Sequence, residues 1–282
     1  MSIAAQVLYK DQYIAAFERR ESILRPAVTT DTESRGAAVY FLVAGSNNRV
    51  AVTRGSNGLI PPSDDSQVQV PITFTELHDL NEKTNFNIFQ AQGNQLQLMR
   101  ENGIAVINRS IDQVIINALT TGTVSLGATG PMSKTVANRV ATIIRNANAG
   151  ETDSGNIYCA VTPACFAYMT DITSFANANY SEATGAKVMD GVPLLGKWKW
   201  WMGIMWGEHT GLAGVGTNAA TCLAWHKAST GHAIAAGTIE AAIGRDEKQD
   251  TSWARHSCYQ GAAKLQNSGI VKFIHDDSGI SS

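Results

Sequence analysis

Residues 36–75 read GAAVYFLVAGSNNRVAVTRGSNGLIPPSDDSQVQVPITFT, and their reading decides the architecture. Ala37 to Val43 is an apolar, β-prone run. Gln67 to Phe74 alternates polar and apolar residues, which places Val68, Val70, Ile72 and Phe74 on one face. Between them, Gly45-Ser46-Asn47-Asn48 is a turn signal and Arg49 to Thr53 resumes strand character. Gly55-Ser56-Asn57-Gly58 and Pro61-Pro62-Ser63-Asp64-Asp65 form a second irregular stretch. The pattern predicts a long two-stranded ribbon with little core of its own. Such a ribbon is marginal in water by itself, so it must lie on a surface that another molecule supplies. Charge on the ribbon has no local partner in the sequence pattern. Arg49, Arg54, Asp64 and Asp65 are therefore the candidate inter-subunit contacts, set against the alternative of a solvated loop tip.

On the N-terminal side, residues 1–35 read as an arm. Tyr13, Ile14, Phe17, Glu21 and Leu24 recur at spacings near three and four, which predicts a short amphipathic helix. Arg25-Pro26 ends it, because the residue before proline avoids helical angles. On the C-terminal side, Ile104, Ile107, Ile111, Val114 and Ala118 form one stripe, continued backwards by Met99 and Leu96. A helix of about 25 residues, near 40 Å, is expected within 85–120, with a break or bend at Gly93 or Gly103.

Further on, Gly130-Pro131 opens a helix with the stripe Met132, Val136, Val140, Ile143 and Ala147, closed by Gly150. Asn156 to Thr162 reads as a strand with Ile157, Cys159 and Val161 on one face, and Thr162-Pro163 caps another helix. Gly196 to Gly207 reads as one strand with Trp198, Trp200, Met202, Ile204 and Trp206 on one face. Thr221 to His226, Thr238 to Ile243, Trp253 to Leu265 and Ile270 to Ile274 are further strands, with a hairpin turn at Asn267-Ser268-Gly269.

Only 16% of the 282 residues are charged, against roughly 25% in an ordinary soluble protein, while 44% are hydrophobic. A surface poor in charge suits a protein packed against copies of itself, because interface centres are depleted in charge. The net charge of −2, and basic runs no longer than Arg19-Arg20, exclude a dedicated nucleic-acid binder. Cys159, Cys165, Cys222 and Cys258 form no metal-type pair and read as reduced, buried thiols, which implies assembly in a cytoplasm. Met1 to Lys10 does not read as a signal peptide, and no apolar run has membrane-spanning length.

Chemistry is thin. Gly211, Gly214 and Gly216 reverse the dinucleotide fingerprint, without the strand–turn–helix context it needs. Ser229, in Lys-Ala-Ser-Thr-Gly, lacks the first glycine of a nucleophile elbow. His209, His226, His232, His256 and Asp246 can be drawn into a triad only on paper; His226 and His256 read instead as strand residues with backbone partners. Trp198, Trp200, Trp201 and Trp206, with Lys197 and Lys199, could stack single-stranded bases, but period-two alternation favours a sheet face packed on a helix. No catalytic, cofactor-binding or metal-ligating residue is assigned.

The order of parts resembles the major capsid proteins of tailed bacteriophages, the Hong Kong 97-like fold. Phe17 to Val28 resembles that family's lead into its extended loop. Ile157-Tyr158-Cys159-Ala160-Val161-Thr162-Pro163 resembles the strand and helix of its axial domain. Asn177 to Pro193 resembles the following loop, and Ala241-Ala242-Ile243-Gly244-Arg245-Asp246 the end of the peripheral domain. The resemblance implies an α+β subunit: an N-terminal arm (1–35), an extended β-ribbon loop (36–75), a peripheral domain with a long spine helix (76–130), an axial domain (131–234) and peripheral closing strands (235–282). It implies a non-enzymatic shell protein that forms pentamers and hexamers around double-stranded DNA in a virion, assembled in the bacterial cytoplasm. Scaffolding, portal and decoration proteins would be its other partners. The alternatives are an encapsulin-like nanocompartment shell, a tail-tube protein and a small hydrolase using Ser229.

Overall fold

The computed structural model describes residues 20–34, 36–46, 49–91, 94–148, 154–176, 181–183, 188–189, 192–193, 198–235 and 239–280. The arm helix around Tyr13, Ile14 and Phe17, the closing Gly150 and the loop at Asn177 to Tyr180 lie outside the described residues. The chain runs through β1 (Thr29–Ser34), β2 (Ala38–Gly45), β3 (Ser66–Thr73), β4 (Thr75–Thr84), α1 (Asn85–Gln90) and α2 (Gln95–Thr120). Then come β5 (Ser125–Gly130), α3 (Lys134–Asn146), β6 (Ile157–Val161), α4 (Pro163–Thr170) and α5 (Thr173–Ala176). Short strands β7 (Ser181–Ala183), β8 (Val188–Met189) and β9 (Val192–Pro193) lead to β10 (Trp198–Trp201), β11 (Ile204–Glu208) and β12 (Ala220–His226). The last strands are β13 (Thr230–Ala235), β14 (Glu240–Asp246), β15 (Thr251–Lys264) and β16 (Ile270–His275). The result is a mixed α+β protein.

Two sheets carry the core. In the five-stranded sheet the long strand β15 pairs with β4 along one edge and with β14 and then β13 along the other, while β1 adds to β13 in parallel. The seven-stranded sheet has the order β5-β16-β12-β6-β11-β10-β7. The sheets cut across the segments drawn from sequence. Thr230–Ala235, drawn with 131–234, pairs in the first sheet, and Ile270–His275, drawn with 235–282, pairs in the second. Asn267-Ser268-Gly269 is accordingly not a hairpin turn. It is a short 3-10 turn that passes the chain from β15 in one sheet to β16 in the other.

Helix α2 spans 26 residues and starts at the cap Asn94, whose side chain accepts from the Gln97 N–H. Its stripe is wider than the spacing predicted. Ile107, Ile111 and Ala118 are buried as expected, and Ile115, Ile116 and Leu119 join them, because both sheets share one apolar cluster around this helix. Gly103 does not break it. A Cβ there would lie 2.0 Å from Nδ1 of His256, so glycine lets the helix sit directly on that buried ring.

Strand β6 is buried at every position, not on one face. Ile157, Cys159 and Val161 pack towards α3 and α4, while Tyr158 and Ala160 belong to the α2 cluster. At its end Thr162 caps α4, accepting from Cys165 N–H at 3.2 Å, with Pro163 in the first turn. For α3 the cap is Ser133 and not the Gly130-Pro131 pair. The tryptophan strand is two strands. Met202 (φ 56°) and Gly203 (φ 78°) reverse the chain, so Trp201 opposes Ile204 and Trp198 opposes Gly207. The reversal splits the indoles between layers: Trp201 and Trp206 pack towards α3 and α4, and Trp198 towards α2.

Two buried aspartates hold these layers together. In α2, Asp112 accepts from Ser22 Oγ at 2.6 Å, from Ile23 N–H and Leu24 N–H at 3.1 Å each, and faces His209 Nε2 at 3.3 Å. Burial alone would raise its pKa, but the hydrogen bonds from His209, Ser22 and the two amides hold it below the ordinary carboxylate value. After β16, Asp277 accepts from Thr162 Oγ1 at 2.8 Å and from Gly216 N–H at 3.0 Å, and meets His275 Nδ1 at 2.6 Å. All four cysteines are free and buried, and burial pushes the Cys258 thiol up to about 11.

His256 corrects an expectation. His226 Nδ1 does accept a backbone N–H, from Ala228 at 3.2 Å, but neither ring nitrogen of the fully buried His256 finds a partner among the described residues. Burial lowers the pKa of His256 and of His232, whose Nε2 meets Gln260 Oε1 at 3.0 Å.

Two outcomes follow. Gly103→Ala gains about 1 kcal/mol of helix propensity but forces a methyl into a ring that cannot move. Overpacking costs about 1–3 kcal/mol and wins, so urea unfolding of the unassembled subunit shifts to lower denaturant. The histidines set an acid limb. Their folded pKa lies below the unfolded value of 6.5, so both states are neutral above that pH. Below it the unfolded chain takes up protons that the native state refuses, and stability falls. Urea midpoints measured down to about pH 5 decline, and less steeply in His256→Leu.

Candidate assembly surface

Pairing of β2 with β3 runs unbroken from Ala38 opposite Thr73 to Gly45 opposite Ser66. Arg49–Thr53, expected as a strand, makes no ladder; with no partner strand, its β-prone residues stay irregular. One face of the ribbon carries Val39, Phe41 and Val43 opposite Ile72, Val70 and Val68. Burial along that face fades outwards: Ile72 at the root is 2% exposed and Val68 is 56% exposed. The root is anchored because Ile72 fits against Gly231 of β13 and Gly261 of β15. From Arg49 to Asp65 every residue is exposed. Val50, Val52, Leu59 and Ile60 are among them, and each would contribute about 1.5–3 kcal/mol if covered. Among the described residues, seven of the fourteen exposed large hydrophobics lie between Tyr40 and Val68. An apolar concentration of that kind marks an interaction surface.

The four charged candidates separate into a pair and two singles. Arg49 and Asp65 form an ion pair, so the expectation that charge here lacks a local partner fails for them. Arg49 also donates to Ser46 O at 2.9 Å, Ser63 O at 3.1 Å and Ser63 Oγ at 2.8 Å. It clamps the two limbs of the tip. No hydrogen bond or ion pair reaches Arg54 or Asp64 among the described residues. Sequence reasoning missed a second exposed group: Leu80 on β4, and Phe86 and Phe89 on α1, 63% and 85% exposed. The three-residue spacing of the two phenylalanines was the available signal.

Catalytic arrangements are not assembled. Ser229 Oγ donates to His226 O at 2.6 Å, and Asp246 accepts from the amides of Lys248 and Gln249 in its own turn. Both buried Asp–His pairs use the two ring nitrogens structurally. His209 Nδ1 accepts from Gly211 N–H at 3.0 Å and His275 Nε2 from Met132 N–H at 2.9 Å, leaving no lone pair for a general base. Trp206 donates from Nε1 to Trp201 O at 3.0 Å, and Lys199 lies 4.4 Å from the Phe175 ring centre. Trp198, Trp201 and Trp206 are therefore packing groups, Trp200 is half-buried, and Lys197 lies outside the described residues. No helix among the described residues is long and apolar enough to cross a membrane.

A family model described as phage capsid protein matches residues 1–277. The chain belongs to the phage capsid protein family. This membership makes it a structural component of a phage head, and favours neither the encapsulin-like shell nor the Ser229 hydrolase. Solved structures share the fold of this phage capsid protein at low identity. The capsid of Ralstonia phage GP4 matches with a TM-score of 0.74 at 10% identity, over 96% of this chain and 95% of that one. Mycobacterium phage Che8 gives 0.69 at 16%, over 95% and 96%. The capsid of a native GTA particle gives 0.69 at 10%, over 97% and 95%. No curated protein sequence matches the chain.

The fading burial predicts a contrast between root and tip. Ile72→Ala lowers the stability of the unassembled capsid protein by about 2–5 kcal/mol in urea unfolding. Leu59→Asp and Ile60→Asp change it by less than about 0.5 kcal/mol, since neither side chain is packed.

Proposed function

We propose that this phage capsid protein is the major shell subunit, of the Hong Kong 97-like type, and that it works by geometry and not by chemistry. Residues 1–35 are the arm and 36–75 the extended loop that lies across a neighbouring subunit. Residues 76–130 with 235–282 form the peripheral domain, with α2 as its spine. Residues 131–234 form the axial domain, which meets its copies around the axes of pentamers and hexamers. The carrying observation is the ribbon, anchored at Ile72 and bare of cover from Arg49 to Asp65. A neighbour that covers it removes an exposed apolar surface from water, once per subunit. Repetition over a closed shell multiplies such modest contacts into a stable particle.

Double-stranded DNA is content, not ligand, in this reading. The net charge of −2 suits a container filled by a separate motor. Scaffolding, portal and decoration proteins are the further partners, and assembly takes place in the host cytoplasm, where the four buried thiols stay reduced. Arg54 and Asp64 remain contact candidates because no partner among the described residues engages them.

Deleting residues 46–66 leaves folded subunits or capsomers and abolishes closed particles. Negative-stain electron microscopy of the overexpressed protein, with circular dichroism as the folding control, reads both. Normal shells from the deletion would refute the role given to the ribbon.

A further inference from the structure

A groove of about 680 Å³ lies where the N-terminal segment meets β1 and α2. Its walls are locked. Asp112 holds Ser22, Ile23 and Leu24, and Trp225 Nε1 donates to Ala27 O at 2.8 Å. Thr30 Oγ1 donates to Arg25 O at 3.2 Å, and Thr29 Oγ1 to Lys227 O at 3.2 Å. The lining offers the half-buried ring of Pro26, with buried Val28 beneath it, beside two cations, Arg25 and Lys227. No carboxylate among the described residues pairs with Arg25, although Glu21 also lines the groove. A preformed cleft of this volume, lined mostly by polar residues, rich in hydroxyls and carrying two cations, fits a short extended peptide with an acidic side chain.

The ribbon tip presents the complementary sequence. Leu59 and Ile60 are 73% and 63% exposed and precede Pro61-Pro62, then Ser63 and Asp64. Two prolines fix φ and hold the segment extended, so little entropy is lost when it docks. The Arg49 clamp takes Ser63 and Asp65 and leaves Asp64, an unpaired anion among the described residues, next to that segment. The paired strands hold the tip away from the groove of its own chain. The ribbon root at Ile72 touches Gly231, on the strand beside β1, and the eight-residue strands carry the tip about 26 Å from that root.

We infer that the groove between the N-terminal segment and β1 is the receptor for the Leu59–Asp64 segment of a second copy of this chain, with Asp64 seated against Arg25 and Lys227. The inference rests on the ribbon-over-neighbour reading and names its receiving site. The contact is heterologous, tip into groove, so it propagates from subunit to subunit and closes a ring when the rotation allows.

Charge reversal tests it. Arg25→Glu and Asp64→Arg each lower the yield of closed particles by at least about tenfold, and the double variant recovers most of it. Single reversals without effect, or a double variant no better than the singles, would overturn the assignment. A second measurement does not depend on assembly yield. With Asp64→Cys and Thr32→Cys in one chain, mild oxidation gives a disulfide-linked ladder of oligomers on denaturing gels, and either variant alone does not. Absence of the ladder from particles that do assemble counts against the groove. Failure of the parent reading looks different: there the 46–66 deletion still makes normal shells. If that deletion abolishes shells while charge reversal and cysteine pairing are silent, the groove alone is wrong.

Discussion

One carboxylate, Asp112, holds the molecule in register. It sits in the C-terminal half of α2, fully buried, and joins two separate parts of the chain to that helix: the N-terminal segment and the loop after β11. A buried charge is tolerable only when hydrogen-bonded on all sides. The requirement runs in reverse as well. Ser22, the amides of Ile23 and Leu24, and His209 must all be present before the helix can bury that residue. The N-terminal segment is therefore fixed onto the body before it turns into β1, and the groove wall that it forms is rigid. Asp277 does the same for the seven-stranded sheet, tying the end of β16 to Met132 just before α3 and to the cap of α4 through His275 and Thr162. The Asp–His pairs, which in a list of residues look catalytic, are joints.

Against that rigid body, the ribbon is the part that internal packing does not reach. Ile72 is covered because Gly231 and Gly261 leave room for it, and cover then fades outwards along the strands. Pairing between β2 and β3 is continuous, and Arg49 closes the tip with its own contacts. What is missing is apolar cover, and the proposed role of a second subunit is to provide it. The division of labour is physical: polar joints buried inside the subunit fix its shape, and exposed apolar side chains on a stiff arm link subunits.

Much of this was legible in the sequence. The stripe at Ile107, Ile111 and Ala118 gave α2, and the alternation at Val68, Val70 and Ile72 gave β3 and its partly covered face. Failures occurred where a residue serves two layers or two sheets. β6 was read as one-faced because its alternate positions, Tyr158 and Ala160, look half-polar or small, yet a helix lies on each side. The tryptophan run was read as one strand because period-two alternation continues across Met202-Gly203, although glycine within a strand pattern is itself a reversal signal. Asn267-Ser268-Gly269 was read as a hairpin because a local turn carries no information about which sheet the next strand joins. Of the ribbon charges, Arg49 and Asp65 find each other across the tip. That contact depends on how the tip folds back, which spacing does not encode.

A low charge content and two polar joints belong to the same economy. Surface charge left unpaired at a contact between subunits would have to be stripped of its water, which opposes close approach. Charge inside is harmless once fully bonded. The chain accordingly places Asp112 and Asp277 in its interior, and leaves Val50, Val52, Leu59 and Ile60 on its reaching arm. A soluble enzyme of this length would gain nothing from such an arm and would risk aggregation by it. A subunit that meets a sister at every edge turns the same liability into its means of association. That inversion, more than any single residue, connects the sequence to a capsid.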